Sequence, residues 1–332
     1  MQQPFGRCRY SLQRDITSPS QKFSASRMEL MQPERTGETG ALDHAASAFL
    51  NVRPRLFGIA YRMLGSAADA EDIVQDVWLK WQAADRSEVL DAAAFLSTVT
   101  TRLAINVVQS ARSRRETYVG PWLPEPVDTG ADPELGAVRG EALQFAVLLL
   151  LEKLSPTERA SYVLREAFDY SYREIAEILQ LSEANTRQLV TRARKRIADE
   201  RRATVSSAEQ RRLLEAFIAA AQKGDAAELE DLFASDIVSY SDGGGFARAA
   251  RIPVLGRIRV ATFIAAFASH FWTGAKLTWT EANGQASVLI SRDGVVFALA
   301  TIDASFEGIH QIMWVMNPAK LAAISRSSPK TE

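Results

Sequence analysis

Residues 171–202 read SYREIAEILQLSEANTRQLVTRARKRIADERR, and the rest of the chain is arranged around them. Tyr172, Ile175, Ala176 and Leu179 recur at the spacing of one helical face. Ser171, with Glu174 three residues on, forms a capping-box pair that sets the start of this helix. Beyond the Gln180-Leu181-Ser182 joint, Thr186, Val190, Ala193 and Ile197 make a second inward stripe. Asn185, Gln188, Thr191, Arg192 and Lys195 are left pointing outward. Small Ala176 lets the two helices approach closely, and Ser182 can cap the second. The pattern predicts a helix-turn-helix whose second helix enters a DNA major groove. Amide and guanidinium groups near its start suit base edges, while Arg194, Lys195 and Arg196 suit phosphates. An ordinary helical hairpin with a solvated basic face has the same pattern, so this stretch alone leaves both readings open.

Working upstream, Ser155-Pro156-Thr157-Glu158 is a strong helix start, and a further helix is expected over 133–151. Residues 116–135, ETYVGPWLPEPVDTGADPEL, break the helical pattern. Pro121, Pro124 and Pro126 surround Trp122 and Leu123, which predicts a stiff, extended linker with a docked tryptophan. Before it, residues 45–115 are helical. Phe49, Val52, Leu56, Ile59, Ala60 and Met63 form one stripe ended by Gly65. Ala70, Ile73, Val74, Val77, Trp78 and Trp81 form the next, leaving Asp69, Asp72, Gln75 and Asp76 exposed. A third helix runs from Ala92 into the cluster Arg112-Ser113-Arg114-Arg115. A solvated acidic face and favourable positive charge at a helix end would explain these features without any partner. Residues 1–40 are polar and aperiodic, as in a disordered tail.

Downstream of Val205 the composition changes. Helices are expected at 207–222, 226–233 and 257–270, and strands at 237–241, 276–282, 286–291, 295–305 and 310–316. The turn pairs Asn283-Gly284, Asp293-Gly294 and Glu307-Gly308 predict consecutive hairpins. Helices followed by an antiparallel meander indicate an α+β domain.

The 332 residues are 47% hydrophobic and 24% charged, enough for two or three domains. The net charge of −1 does not itself indicate nucleic-acid binding, but the basic residues gather at 112–115 and 187–202. No apolar run is long enough to span a membrane, so no membrane partner and a cytoplasmic location are expected. Cys8 is the only cysteine, which excludes an intrachain disulfide or a Cys-based zinc site; no metal or cofactor is expected.

The order of these parts, an acidic AEDIVQDVW helix, a helix ending in arginines, a linker and a helix-turn-helix, resembles a bacterial extracytoplasmic-function (ECF) sigma factor over about 49–202. The resemblance implies two all-α sigma domains: region 2 at 41–115 and region 4 at 136–204, joined by the linker 116–135. It implies RNA polymerase core (β′ clamp helices and β flap) and promoter DNA as partners. Asp69, Asp72, Gln75 and Trp78 would belong to the polymerase-binding helix. Arg102, Asn106, Arg112, Arg114 and Arg115 would lie at the −10 element, and Asn185, Thr186, Arg187, Gln188, Thr191, Arg192 and Lys195 at the −35 element. A melted −10 strand calls for basic residues and base capture, whereas a duplex −35 element suits a helix in the major groove.

Three motifs resemble the subgroup (group 41) with a SnoaL-like extension: Trp122-Leu123-Pro124-Glu125-Pro126, Asp242-Gly243-Gly244-Gly245 and Asn317-Pro318-Ala319-Lys320-Leu321. The subgroup's last motif usually carries Asp where this chain has Ala319. The resemblance implies an NTF2-like cone over 207–325, regulation by this attached domain, and an interdomain contact through these motifs. Enzymes of this fold use an Asp or His in the cone, and Asp242, His270, Asp303 and His310 are the residues to weigh. A polar turn, a helix end and a satisfied pair on a sheet account for them equally well, and no catalytic residue is assigned. Trp279, Phe297 and Trp314 are expected as walls for an unknown small ligand. Two functions are therefore carried: a sigma factor controlled by its extension, or a DNA-binding fusion with a catalytic or ligand-sensing domain. The acidic helix separates them, because a simple DNA tether needs no polymerase-docking face.

Overall fold

The computed structural model describes residues 35–130, 143–201 and 203–327. The expected tail up to residue 34, and the helix expected from Pro133 up to residue 142, lie outside the described residues. The first helix, α1, spans Arg35–Leu64 and so begins inside the stretch read as tail. It is followed by α2 (Ala67–Ala83), a short 3-10 turn, and α3 (Ala92–Glu116). Ser66 and Asp91 cap α2 and α3 by accepting from the Asp69 and Ala94 amides. After the linker come α4 (Phe145–Leu151), α5 (Pro156–Phe168), α6 (Tyr172–Leu179) and α7 (Glu183–Glu200). The capping boxes Ser155/Glu158 and Ser171/Glu174 are both complete. Gln180, left-handed at φ 55°, turns the chain from α6 into α7, whose cap is Ser182.

The two helical regions do not have separate cores. Leu56 and Ile59 of α1, Val77 of α2, Leu96 of α3, Val163 and Leu164 of α5, Ile175 of α6 and Ile197 of α7 belong to one continuous buried cluster. α5 makes this fusion possible, because every residue from Glu158 to Leu164 is buried and the helix packs on all sides. Within it, buried Arg159 donates to the Met63 carbonyl of α1 and to Glu152, both at 2.7 Å.

The C-terminal domain comprises α8 (Ser207–Lys223), α9 (Ala226–Leu232), β1 (Phe233–Asp242), β2 (Val254–Leu255), α10 (Arg257–Phe271), β3 (Lys276–Ala282), β4 (Gln285–Arg292), β5 (Val295–Ser305), β6 (Gly308–Val315) and α11 (Pro318–Ser327). The sheet order is β2-β1-β6-β5-β4-β3. The expected meander holds for β3 to β6, but β1 lies parallel to β6, so the sheet is mixed. β2 is too short to carry a sequence period, and α11 starts inside the Asn317–Leu321 motif; neither was expected.

Both faces of the sheet are covered. Val288, Ile290, Ile302, Ile312 and Trp314 face Leu214, Phe217 and Ile264 of the domain's own helices. The alternate residues Leu289, Leu299, Met313 and Val315 face Leu123 of the linker, Phe145 of α4, and Leu321 and Ile324 of α11. Among the described residues no helix is long and apolar enough to cross a membrane.

Candidate nucleic-acid interface and interdomain clamp

On the outward side of α7, Asn185, Arg187, Gln188, Thr191, Arg192 and Lys195 are all exposed. Thr186 is not: it is fully buried and its hydroxyl donates to the Ser182 carbonyl at 3.1 Å. The inward stripe therefore claims Thr186 and removes it from the expected base-reading set. Four arginines on this helix hold carboxylates: Arg187 pairs with Glu183 (2.5 Å), Arg194 with Glu166 (2.7 Å), and Arg192 and Arg196 with Glu158 (3.6 and 3.2 Å). Burial opposes ionisation of Glu158, but the Ser155 hydrogen bonds and the two guanidinium groups outweigh it and hold the carboxyl below its usual range. Lys195 has no ion pair among the described residues.

On α2, Asp72 and Gln75 are exposed and Asp69 is half-buried. Trp78 packs against Phe49 with ring centroids 4.9 Å apart, so much of it belongs to the core. On α3, Asn106 is exposed. Arg102 is also exposed, but its Nε donates to the Ile178 carbonyl of α6 at 3.0 Å, bonding the first helical region to the helix-turn-helix. Arg112 and Arg114 lie on α3, but their side chains lie outside the described residues. Arg115 is turned inward: it holds Glu152 and the Leu64 carbonyl, and its guanidinium stacks 3.6 Å from the Trp122 ring. That engagement takes it out of the expected DNA-facing cluster.

Trp122, Leu123, Asp242, Gly244, Asn317 and Lys320 meet at one place, although they come from three separate segments. Asp242 is fully buried at the end of β1. Its Oδ2 accepts from Lys320 Nζ (2.6 Å) and the Leu123 amide (2.8 Å), and its Oδ1 accepts from the Tyr118 hydroxyl (2.5 Å). Asn317 Nδ2 donates to the same hydroxyl at 2.8 Å. Burial pulls the Lys320 ammonium down to about 8, against the Asp242 carboxylate, which favours its charge. Burial and the bond to Asp242 push the Tyr118 phenol up. Lys320 also bonds the Leu123 carbonyl and lies 4.3 Å from the Trp122 ring, so the indole is held between two cations. A side chain at Gly244 (φ 59°) would overlap the Asn317 amide and stand 2.9 Å from the Tyr118 oxygen. At Gly243 a Cβ would stand 2.6 Å from the Ala247 carbonyl. Gly245 borders Val119, Pro124 is buried with Leu123, Leu321 is buried in the outer-face cluster, and Pro318 begins α11 exposed.

The linker is fastened on its other side as well. The Glu125 carboxylate accepts from the Ala67 and Ala68 amides (2.8 and 3.2 Å), so it sits at the positive end of α2. Burial dominates there and raises its pKa. The Glu125 amide donates to the Gly65 carbonyl, and the Tyr61 hydroxyl to the Glu125 carbonyl. Asn283 exchanges backbone and side-chain hydrogen bonds with Val127 and donates to Tyr61. Sequence reasoning missed Tyr61, Tyr118 and Asn283 as contact residues. Asn283 was visible only as half of a turn pair, and Glu125 only as part of the linker motif.

Within the C-terminal domain lies a cavity of 1310 Å³. Phe297 and Trp314 line it as expected. Trp279 does not; it packs beneath Arg211, 5.6 Å from the guanidinium. His270 reaches the cavity wall, whereas Asp242, Asp303 and His310 do not. His310 instead bonds Ser305 (2.7 Å) and Asp236 (3.1 Å).

The sequence matches the family described as Sigma-70 region 2 over residues 49–114, and that described as Sigma-70, region 4, over 144–197. It is 37% identical over 233 residues to the ECF RNA polymerase sigma factor SigJ of Mycobacterium tuberculosis, covering 69% of this chain and 74% of that protein. The ECF RNA polymerase sigma factor SigG of the same organism is 30% identical over 217 residues, covering 56% of this chain and 58% of its own length. The crystal structure of Mycobacterium tuberculosis SigJ superposes with a TM-score of 0.68 at 31% identity, covering 86% of this chain and all of that one. The likeness extends through the C-terminal domain, whose helices and mixed sheet have the NTF2-like fold.

Proposed function

The chain belongs to the ECF RNA polymerase sigma factors, and from that premise we propose that its C-terminal domain holds the two promoter-binding regions in a closed relation. It directs RNA polymerase core to promoters. In the proposed assignment, Asp69, Asp72 and Gln75 face the β′ clamp helices, with Trp78 bracing them from the core, and region 4 meets the β flap. Asn185, Arg187, Gln188, Thr191, Arg192 and Lys195 face the −35 duplex, and Arg102, Asn106, Arg112 and Arg114 the −10 strand. Arg115 acts in the clamp. The work is done in the cytoplasm, where the polymerase is. The C-terminal domain serves as a contact and ligand-sensing module; of the weighed acid–base residues, His270 reaches its cavity.

One observation carries the closed-state reading: Arg102, on the −10-reading helix, bonds the Ile178 carbonyl of the helix-turn-helix. Regions that must land on separated promoter elements are bonded to each other and share a core. Opening them is a step that the clamp opposes. The test is run-off transcription with polymerase core, using wild type, Asp242→Ala and a chain ending at Met316, alongside limited proteolysis of the linker. Faster linker cleavage and a several-fold change in transcript are expected. Unchanged cleavage with unchanged transcript overturns the regulatory reading. An Asp69→Lys/Asp72→Lys variant that still co-purifies with core at wild-type level overturns the α2 assignment.

A further inference from the structure

The cavity of the C-terminal domain has a consistent chemistry. Phe263, Phe271, Trp272, Phe297 and Trp314 are among its walls, and its lining is mainly apolar. Arg248, Arg251, Arg292 and His270 supply its polar groups, and no carboxylate lines it. Arg292 is held in place: its guanidinium donates to the Phe271 carbonyl (2.7 Å) and lies 4.9 Å from the Phe297 ring. Arg248 and Arg251 are exposed and have no carboxylate partner among the described residues. A mainly apolar lining that includes two exposed guanidinium groups with no carboxylate partner matches a molecule with one anionic end and an apolar body.

We propose that this cavity binds a single-chain carboxylic acid, with the chain between α10 and the sheet and the carboxylate on Arg248 and Arg251. The inference rests on the ligand-sensing part of the proposed function and deepens it. The walls also explain how occupancy reaches the promoter-binding regions. Val119 and Gly120 of the linker line the cavity. A Cβ built on Gly245 would lie 3.4 Å from Val119, and one built on Gly120 would lie 3.8 Å from the Ala250 carbonyl. A chain that touches Val119 and Gly120 does so only while the linker is docked, so binding stabilises the clamped form by mass action.

The test uses the full chain and saturated carboxylic acids of eight to sixteen carbons, kept below their micelle concentrations, with the matching 1-alcohols. Binding is followed by calorimetry and by the fluorescence of Trp272 and Trp314, and linker exposure by limited proteolysis. Affinity is expected to rise about fourfold per methylene, the value of one CH₂ removed from water. Each acid should bind about tenfold or more tightly than its alcohol. Arg248→Ala/Arg251→Ala, two exposed positions that leave the core untouched, should abolish that preference and leave alcohol binding unchanged. Saturating acid should slow linker cleavage. Equal binding of acid and alcohol, or absence of a chain-length trend, overturns the proposal. So does binding to phosphatidylglycerol vesicles but not to dispersed acid, which would place the contact on exposed Leu255 and Ile258 instead. Neither polymerase nor promoter is present, so failure here leaves the sigma-factor reading standing, and failure of transcription leaves this measurement unaffected.

Discussion

Two sets of ion pairs in this molecule use the same chemistry in opposite surroundings. On α7, Arg187–Glu183 and Arg194–Glu166 lie at the surface, the arginine side chains 62% and 48% exposed. In the clamp, Asp242 is fully buried and the Lys320 side chain only 11% exposed. Exposed pairs contribute about 0–1 kcal/mol and are weakened by salt, so phosphates can replace the carboxylates at little loss. A buried pair cannot be exchanged in that way, because removing one member strands the other without water. The comparison teaches that exposure, more than residue type, separates charges that wait for a partner from charges that hold the molecule together. Arg115 makes the same point: its place in a basic run suggests a waiting charge, yet it is enclosed by Glu152, the Leu64 carbonyl and Trp122.

The largest test of this contrast is Asp242→Ala. It leaves the Leu123 amide and the Tyr118 hydroxyl without their acceptor and the Lys320 ammonium with the Leu123 carbonyl but no counter-charge, and about 3–5 kcal/mol of stability should be lost in denaturant unfolding. A loss under about 1 kcal/mol would put the clamp in the same class as the α7 pairs. Replacing both members, as in Asp242→Leu/Lys320→Met, should recover part of the loss.

Next in size is Trp122→Ala, which empties the space between Arg115 and Lys320 and should cost about 2–3 kcal/mol. Protease cutting within 117–130 should accelerate with it; linker cleavage at the wild-type rate would mean that the indole is only a passenger.

On the exposed side, Gln188→Ala should cost about 1–3 kcal/mol of promoter binding and relax specificity at one base pair. Lys195→Ala should weaken all sequences alike and lower the salt slope by about one. Binding isotherms at several salt concentrations separate the two, and identical behaviour would reduce α7 to a phosphate binder.

The smallest effect is expected from Glu166→Gln. Stability should shift by less than about 1 kcal/mol, while Arg194, released from its partner, should raise promoter affinity slightly. A multi-kcal/mol loss would show that the surface pairs are structural after all.

Much of the helical architecture was legible because its signals are local. The capping boxes at Ser155 and Ser171 and the stripes of α6 and α7 are settled within a few residues. The shared core was not, since an apolar stripe shows that a face is buried but not against what. The helix after Ser155 gave no clue, because its polar Glu158, Arg159 and Ser161 are buried together with its apolar side. VLI in β4 and IMWV in β6 did carry one: their uninterrupted apolar runs mean a sheet covered on both sides. Of the candidate site, the outward face of α7 could be read from periodicity, and so could the inward place of Thr186, which entered the base-reading set only through the resemblance. The clamp residues were reached through motif resemblance, not from their own chemistry. Nothing in the linker alone shows that Glu125 ends at α2 or that Asp242 is buried, because both depend on contacts more than fifty residues apart in the chain.

The parallel pairing of β1 with β6 has a consequence in time. It places Asp242 beside Val315, so the clamp needs the last strand and the helix that follows it. Both helical regions are complete by residue 200, whereas the clamp waits for Lys320 on α11. At ~5–20 residues per second, synthesis of the intervening stretch lasts on the order of ten seconds. For that interval every nascent chain carries the finished helices, joined by their shared core and the Arg102–Ile178 bond, without the clamp that fastens the linker across them.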